Sequence, residues 1–213
     1  ARVTARRNPP HPDVAALDPG KAGELDRLAH NYQIEVQRTI PATLNYAPPG
    51  HRPYPASICT SVNHVVCHGM PGDRALKEGD IVNIDVTFIV DGWYGDSSRM
   101  YVIGPIARKA ERLIEVTYEA MMRGIAAVKP GRTTGDIGAA IQSFVEPQHM
   151  SVVRDFCGHG LGRLFHDEPN IVHVGRPGEG IVTFAHTGRN QHGTVVATAS
   201  RKTMVRKRPG GEK

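Results

Sequence analysis

The sequence predicts an α+β (α/β) domain, an antiparallel-rich sheet carrying helices on one face. Three observations lead there. Two β-branched apolar runs, residues 81–90 and 93–103, flank Asp91-Gly92, a strong short-range signal for a two-residue hairpin. Three segments carry apolar residues at helical spacing. The order is helix, strand, hairpin, two helices, strand, which mixes the two element types without strict βαβ alternation. The chain has 213 residues, enough for one large or two small cores, and its 39% hydrophobic and 22% charged content excludes a disordered chain. No window approaches the roughly 18 uninterrupted apolar residues of a membrane span. The opening ARVTARRNPP has no apolar stretch behind its basic start, so neither a signal peptide nor a membrane partner is expected. Cys59, Cys67 and Cys157 are too few and scattered for a disulfide framework, which favours the cytoplasm.

In chain order, residues 1–20 are rich in Pro and Arg and read as an irregular lead-in. Residues 21–40 read as a helix with Leu25, Leu28, Ala29, Tyr32 and Val36 on one face. Residues 46–57, YAPPGHRPYPAS, hold four prolines and form a loop. A strand spans 58–67, and a turn through Pro71-Gly72-Asp73 leads to the hairpin. A helix follows over about 107–128 with Leu113, Val116, Ala120 and Met121 inward, stopping before Pro130-Gly131. Thr134 caps the next helix, whose inner face is Ile137, Ala140, Ile141 and Phe144. A short strand at 150–157 enters the glycine-rich stretch 158–162, and Val182–Phe184 and Thr194–Ala197 are short strands. The formal charge of +5 resides in RKTMVRKRPGGEK, residues 201–213, so the rest of the chain is neutral. That short basic end lacks interleaved aromatics and reads as a solvated terminus rather than an RNA-binding arm.

The hairpin carries the chemistry. With a two-residue turn, paired numbers sum to 183, and Asp85 and Asp96 fall on one face, one diagonal step apart. Val82, Ile84, Val86, Phe88 and Val90 share the opposite, core-facing side. Two anions on a half-buried sheet need a shared proton, basic partners or a cation, unless the face is simply solvated. A divalent metal is the strongest offset, since carboxylate oxygens suit such ions. Eleven histidines are present, most of which need no role; His11, His30 and His149 read as surface residues. His68, in CHGMP, sits at a strand end before a turn. His159 is flanked by glycines that permit close backbone approach. His159 is a candidate third metal ligand, and His68 and His166 are candidate hydrogen-bond donors to a substrate.

Taken together, ICTSVNHVVCHGMP (58–71), GDIVNIDVTFIVDGWYGDSSRMYVIG (79–104) and CGHGLGRLFHDEPNIVH (157–173) closely resemble type I methionine aminopeptidases, metallopeptidases of pita-bread fold. The resemblance implies removal of the N-terminal Met from nascent polypeptides by a site holding up to two divalent ions (Co, Mn, Fe, Zn or Ni). It implies Asp85, Asp96 and His159 as metal ligands, and His68 and His166 as the catalytic histidines that contact substrate. Tyr54, Cys59 and Phe165 match positions lining the methionine pocket, where a flat apolar slot suits a thioether.

The resemblance is strongest over 46–180, which defines a catalytic domain between a divergent N-terminal segment, 1–45, and a degenerate C-terminal segment, 181–213. Two further ligands of the family are glutamates near the C-terminus. Here Ala185 and Gln191 stand near those positions, and after Gly180 the only Glu is Glu212. Ala offers no oxygen and Gln only a neutral one, so weaker metal binding, one ion or none, and impaired activity are expected. The missing segment also leaves an incomplete fold with an exposed sheet edge. His51 stands where a second pocket tyrosine is expected. A monomer is expected, and ribosome contact through the basic tail is the alternative to a solvated terminus. The competing reading is a catalytically inactive pita-bread protein that binds peptide or RNA, and a third is a frame-disrupted product after Gly180.

Overall fold

The computed structural model describes residues 3–5 and 20–206. The expectations for His11, most of the lead-in and the end of the basic tail lie outside these. The chain divides into two compact units, Ala1–Ile114 with Leu161–His166, and Glu115–Gly160 with Asp167–Lys213. Every strand pairing among the described residues is antiparallel. No helix among them is long and apolar enough to cross a membrane.

In the first unit, helix α1 (Ala22–Asn31) continues through one π-helical turn, Tyr32–Val36. The Asp26 carboxylate accepts the backbone N–H groups of Ser57 and Ile58 at 2.8 and 3.0 Å, tying α1 to the chain that enters the strand beginning at Cys59. Leu25 is buried and Ala29 partly so, but Leu28, Tyr32 and Val36 of the predicted inner face are exposed. The backbone at Val3–Ala5 forms β1 within the predicted lead-in. It pairs with β5 (Trp93–Ile103), which pairs with β4 (Ile81–Val90); β4 in turn pairs with β2 (Ile40–Pro41) and β3 (Cys59–Val62). The core joins Leu25, Ile58, Val62, Leu76, Val82 and Ile103, with Ile84 and Val86 packed against it. Val90 departs from the predicted core face because it ends β4 beside the turn, where it is exposed.

The strand predicted over 58–67 stops at Val62. Asn63 adopts a left-handed φ of 55°, and its side chain donates to Asp80 Oδ1 at 2.7 Å and accepts from the Ile81 N–H at 3.0 Å. An Asn side chain that substitutes for ladder bonds in this way ends a strand.

The second unit contains most of α2 (Arg108–Ala126), then α3 (Thr134–Val145), β6 (Gly158–Gly160), β7 (Asp167–Ile171), β8 (Glu179–Arg189) and β9 (Val195–Arg206). Val116, Ala120 and Val145 form its core, with Ile141, Phe144, Met150 and Val152 against them. Met121, predicted inward, is exposed, as is Leu113 at the other end of α2. The cap of α3 is Thr133 rather than Thr134, because the Asp136 carboxylate reaches back to accept both the Thr133 N–H (2.7 Å) and its Oγ1–H (2.9 Å). Residues 150–157 are irregular, and the strand is the glycine stretch itself. A Cβ at Gly160 would lie 2.1 Å from the Glu168 carbonyl oxygen, so the backbones meet closer than any side chain allows. β8 and β9 are long arms of one hairpin, not two short strands, and β9 takes in the first residues of the predicted solvated tail. Ala185 lies in mid-β8, exposed, and Gln191 lies exposed in the turn between the arms.

Candidate metal and substrate site

The predicted hairpin register holds at every position: Val90 faces Trp93, Thr87 faces Asp96 and Asp85 faces Ser98. Asp91 and Gly92 have φ values of 51° and 77°, the paired positive values that a tight two-residue turn matched to strand twist requires. Asp85 and Asp96 therefore share one face of adjacent strands. Asp85 is half-buried and Asp96 exposed. Thr87, buried beside them at 2% exposure, donates its hydroxyl to Asp96 Oδ1 at 3.0 Å. On the other side of β4, Cys59 is the cross-strand partner of Asp85. Burial pushes the thiols of Cys59 and Cys67 up, and the negative charge of Asp85 adds to both shifts. A negative field of this kind in a partly buried site suits a cation.

Several of the other expected site positions lie around the same strands. The Tyr54 hydroxyl donates to the Ile58 and Gly69 carbonyls at 3.2 and 3.1 Å, and burial, with the Cys59 thiol beside it, holds its phenol far above the usual range. His68 is exposed at a left-handed φ of 54°. The next residue fixes it: the Thr60 N–H donates to the Gly69 carbonyl at 2.7 Å, and the Gly69 N–H donates to Ser61 Oγ at 3.1 Å. A Cβ at Gly69 would lie 2.4 Å from the Thr60 oxygen, so only glycine lets this loop lie along β3.

Phe165 and His166 also belong to the first unit. Phe165 stacks on Tyr94, with ring centroids 5.4 Å apart, and Tyr94 shares the β5 face that carries Asp96. The His166 ring stacks on Phe165 at 4.3 Å, and the Tyr46 hydroxyl lies 2.9 Å from His166 Nδ1. The fold thus gathers Tyr54, Cys59, Asp85, Asp96, Phe165 and His166 around one side of the hairpin. His159 lies in the second unit, in β6, where its Nδ1 donates to the Gly160 carbonyl at 2.8 Å. That bond places a ring hydrogen on Nδ1, and a backbone carbonyl held by one ring nitrogen is a usual feature of metal-binding histidines. In the same unit, burial pushes His173 below its ordinary range.

Sequence reasoning missed Tyr46 and Thr87. His51, expected near a pocket position, is exposed at the loop tip; Tyr46 instead packs edge-on against Phe165 at 4.9 Å. Backbone bonds between Asn45 or Tyr46 and Tyr54 close the base of the proline loop and bring both tyrosines together. Their flanking of one proline run was the available signal. Among the described residues, no group of three or more His, Cys, Asp or Glu side chains is arranged to hold a metal ion. Asp85 and Asp96 share a strand face, and carboxylate oxygens suit a divalent ion, but two carboxylates leave most of its coordination open.

With the carboxylate-bearing hairpin and the aromatic and histidine cluster described, the chain belongs to metallopeptidase family M24, whose sequence model matches residues 15–200. Within that family its likeness is to methionine aminopeptidases. It is 59% identical over 157 residues to methionine aminopeptidase of Rickettsia prowazekii (strain Madrid E), and 49% identical over 159 residues to that of Escherichia coli (strain K12). Each match covers 74% of this chain and 58% of the relative, so the chain spans little more than half the length of these curated relatives. The crystal structure of the Rickettsia prowazekii methionine aminopeptidase matches with a TM-score of 0.72 at 45% identity, covering 89% of this chain and 83% of that one. The Thermotoga maritima methionine aminopeptidase matches at 0.69 and 30% identity over the same shares. The fold is the expected pita-bread fold.

Proposed function

We propose that the chain is a metal-dependent aminopeptidase that removes the N-terminal methionine of nascent polypeptides in the cytoplasm, with residues 46–180 supplying the catalytic functions. The observation that carries this reading is the Asp85–Asp96 pair on one face of the β4–β5 hairpin, beside Cys59 and within the span matched by the metallopeptidase family. Asp85 and Asp96 would hold a divalent ion, with Co, Mn, Fe, Zn and Ni the candidates, and the resemblance to the family is what points to His159 as a further ligand. When bound, such an ion supplies Lewis acidity and an activated water. Thr87 orients Asp96 by its hydroxyl bond to Oδ1. Tyr54, Cys59 and Phe165 line the slot for the methionine side chain. His68 and His166 are exposed imidazoles that donate hydrogen bonds to the scissile peptide.

Ala185 and Gln191 supply no anionic oxygen, so we infer weak metal binding and reduced turnover. The expected outcome is slow release of Met from Met-Ala-Ser in Mn²⁺ or Co²⁺, abolished by chelation and by Asp96→Ala. The absence of any three-donor group among the described residues favours a second reading, a peptide-binding protein without catalysis. Peptide binding without release, at every metal concentration, would establish that one.

A further inference from the structure

We propose that Arg163 is a positioning residue, whose guanidinium, laid over Trp93, holds the segment Leu161–His166 along β5 so that Phe165 stays beside the carboxylate face of the hairpin. Within the first unit this segment meets β5 at three points. At the strand edge, the Tyr94 N–H donates to the Gly162 carbonyl at 2.8 Å. In a two-residue hairpin the Val90–Trp93 pair carries the ladder bonds, so the next N–H, that of Tyr94, points away from β4 and toward this partner. On the face that bears Asp96, Phe165 stacks on Tyr94 at 5.4 Å and 20°. On the opposite face, the Arg163 guanidinium carbon lies 4.6 Å from the centre of the Trp93 ring. The segment therefore grips the strand at its edge and from both sides. Glycine makes room for the cation, since a Cβ at Gly92 would lie 3.1 Å from Arg163 Nη1. Leu161 and Leu164 are exposed, so apolar burial holds little of this segment. An Arg–Trp contact, the strongest aromatic pairing for a cation, is then a large share of what keeps it closed.

The kinetic part rests on the aminopeptidase reading; the hold on the segment does not. The test is amide hydrogen exchange of the full chain, read by ¹⁵N–¹H correlation, for the unsubstituted protein, Arg163→Gln and Arg163→Lys, run beside Met release from Met-Ala-Ser in Mn²⁺. The Tyr94 amide reports opening of the segment. The Ile103 amide, on the same strand and bonded to the Asp80 carbonyl, reports the fold. In Arg163→Gln, Tyr94 exchange is expected to quicken about threefold, the factor an exposed cation–π contact contributes, with Ile103 unmoved. Arg163→Lys, which keeps the cation, restores most of the protection. KM rises by the same factor, about threefold, and kcat holds, because an open segment takes Phe165 from the methionine slot and leaves the hairpin carboxylates in place. Tyr94 exchange unmoved in Arg163→Gln overturns the proposal. So does faster exchange with KM unchanged, which would leave Arg163 a structural tie only, and so does a matching rise at Ile103, which would mark loosening of the whole sheet. If the unsubstituted chain releases no Met, the aminopeptidase reading fails alone and Tyr94 still decides whether Arg163 holds the segment.

Discussion

Thr87 is 2% exposed and spends its hydroxyl on Asp96 Oδ1. A buried donor aimed at an exposed carboxylate restricts its rotation, and geometry is what a weakly liganded ion most needs from its first contacts. Thr87→Val keeps the shape and removes the donor. We expect its Met release at saturating peptide to require about tenfold more Mn²⁺, with the unfolding midpoint little changed; metal-dependence curves on the two chains check this. Residue-scale features of this kind divide by legibility. The carboxylate pair is legible in the sequence alone, because register turns residue numbers into faces. The Tyr46–His166 contact is not, because it joins residues 120 positions apart across a proline loop.

At the scale of elements, α3 shows how a cap becomes a pH response. The Asp136 carboxylate accepts the Thr133 N–H and Oγ1–H and the Gly178 N–H, and these bonds, the Thr133 N–H foremost, hold it below the usual carboxylate range. A depressed folded value means that its contribution is complete above the unfolded value, near about 3.9, and is lost as pH falls through the folded one. Asp136→Asn should therefore cost about 1 kcal/mol at pH 6, and the gap from the parent chain should close below about pH 4. Urea midpoints at the two pH values measure it. The β4–β5 hairpin is legible to the residue, because Asp-Gly dictates the turn and the turn dictates the pairing. Apolar patterning overextends the strand at 58–67, since Asn63 prefers side-chain bonds to the ladder. β6 escapes sequence reading because three residues of Gly-His-Gly carry no strand propensity; they form a strand through close approach to Glu168. β8 and β9 are longer than their pattern suggests because their alternation is weak and small polar residues interrupt it.

At the scale of the whole molecule, the fold is that of the family. The family model extends to residue 200, beyond the last of the recognisable motifs, and the long β8–β9 hairpin occupies that stretch. Ala185 and Gln191 nevertheless stand exposed there, and neither side chain offers an ion an anionic oxygen. Everything proposed for the site depends on metal capacity surviving in the hairpin carboxylates. The sharpest check is calorimetric titration of the full chain with Mn²⁺ beside Asp85→Asn. Saturable heat from the parent chain that vanishes in Asp85→Asn is the expected result. Equal heats from both, or none from the parent at millimolar Mn²⁺, would overturn it.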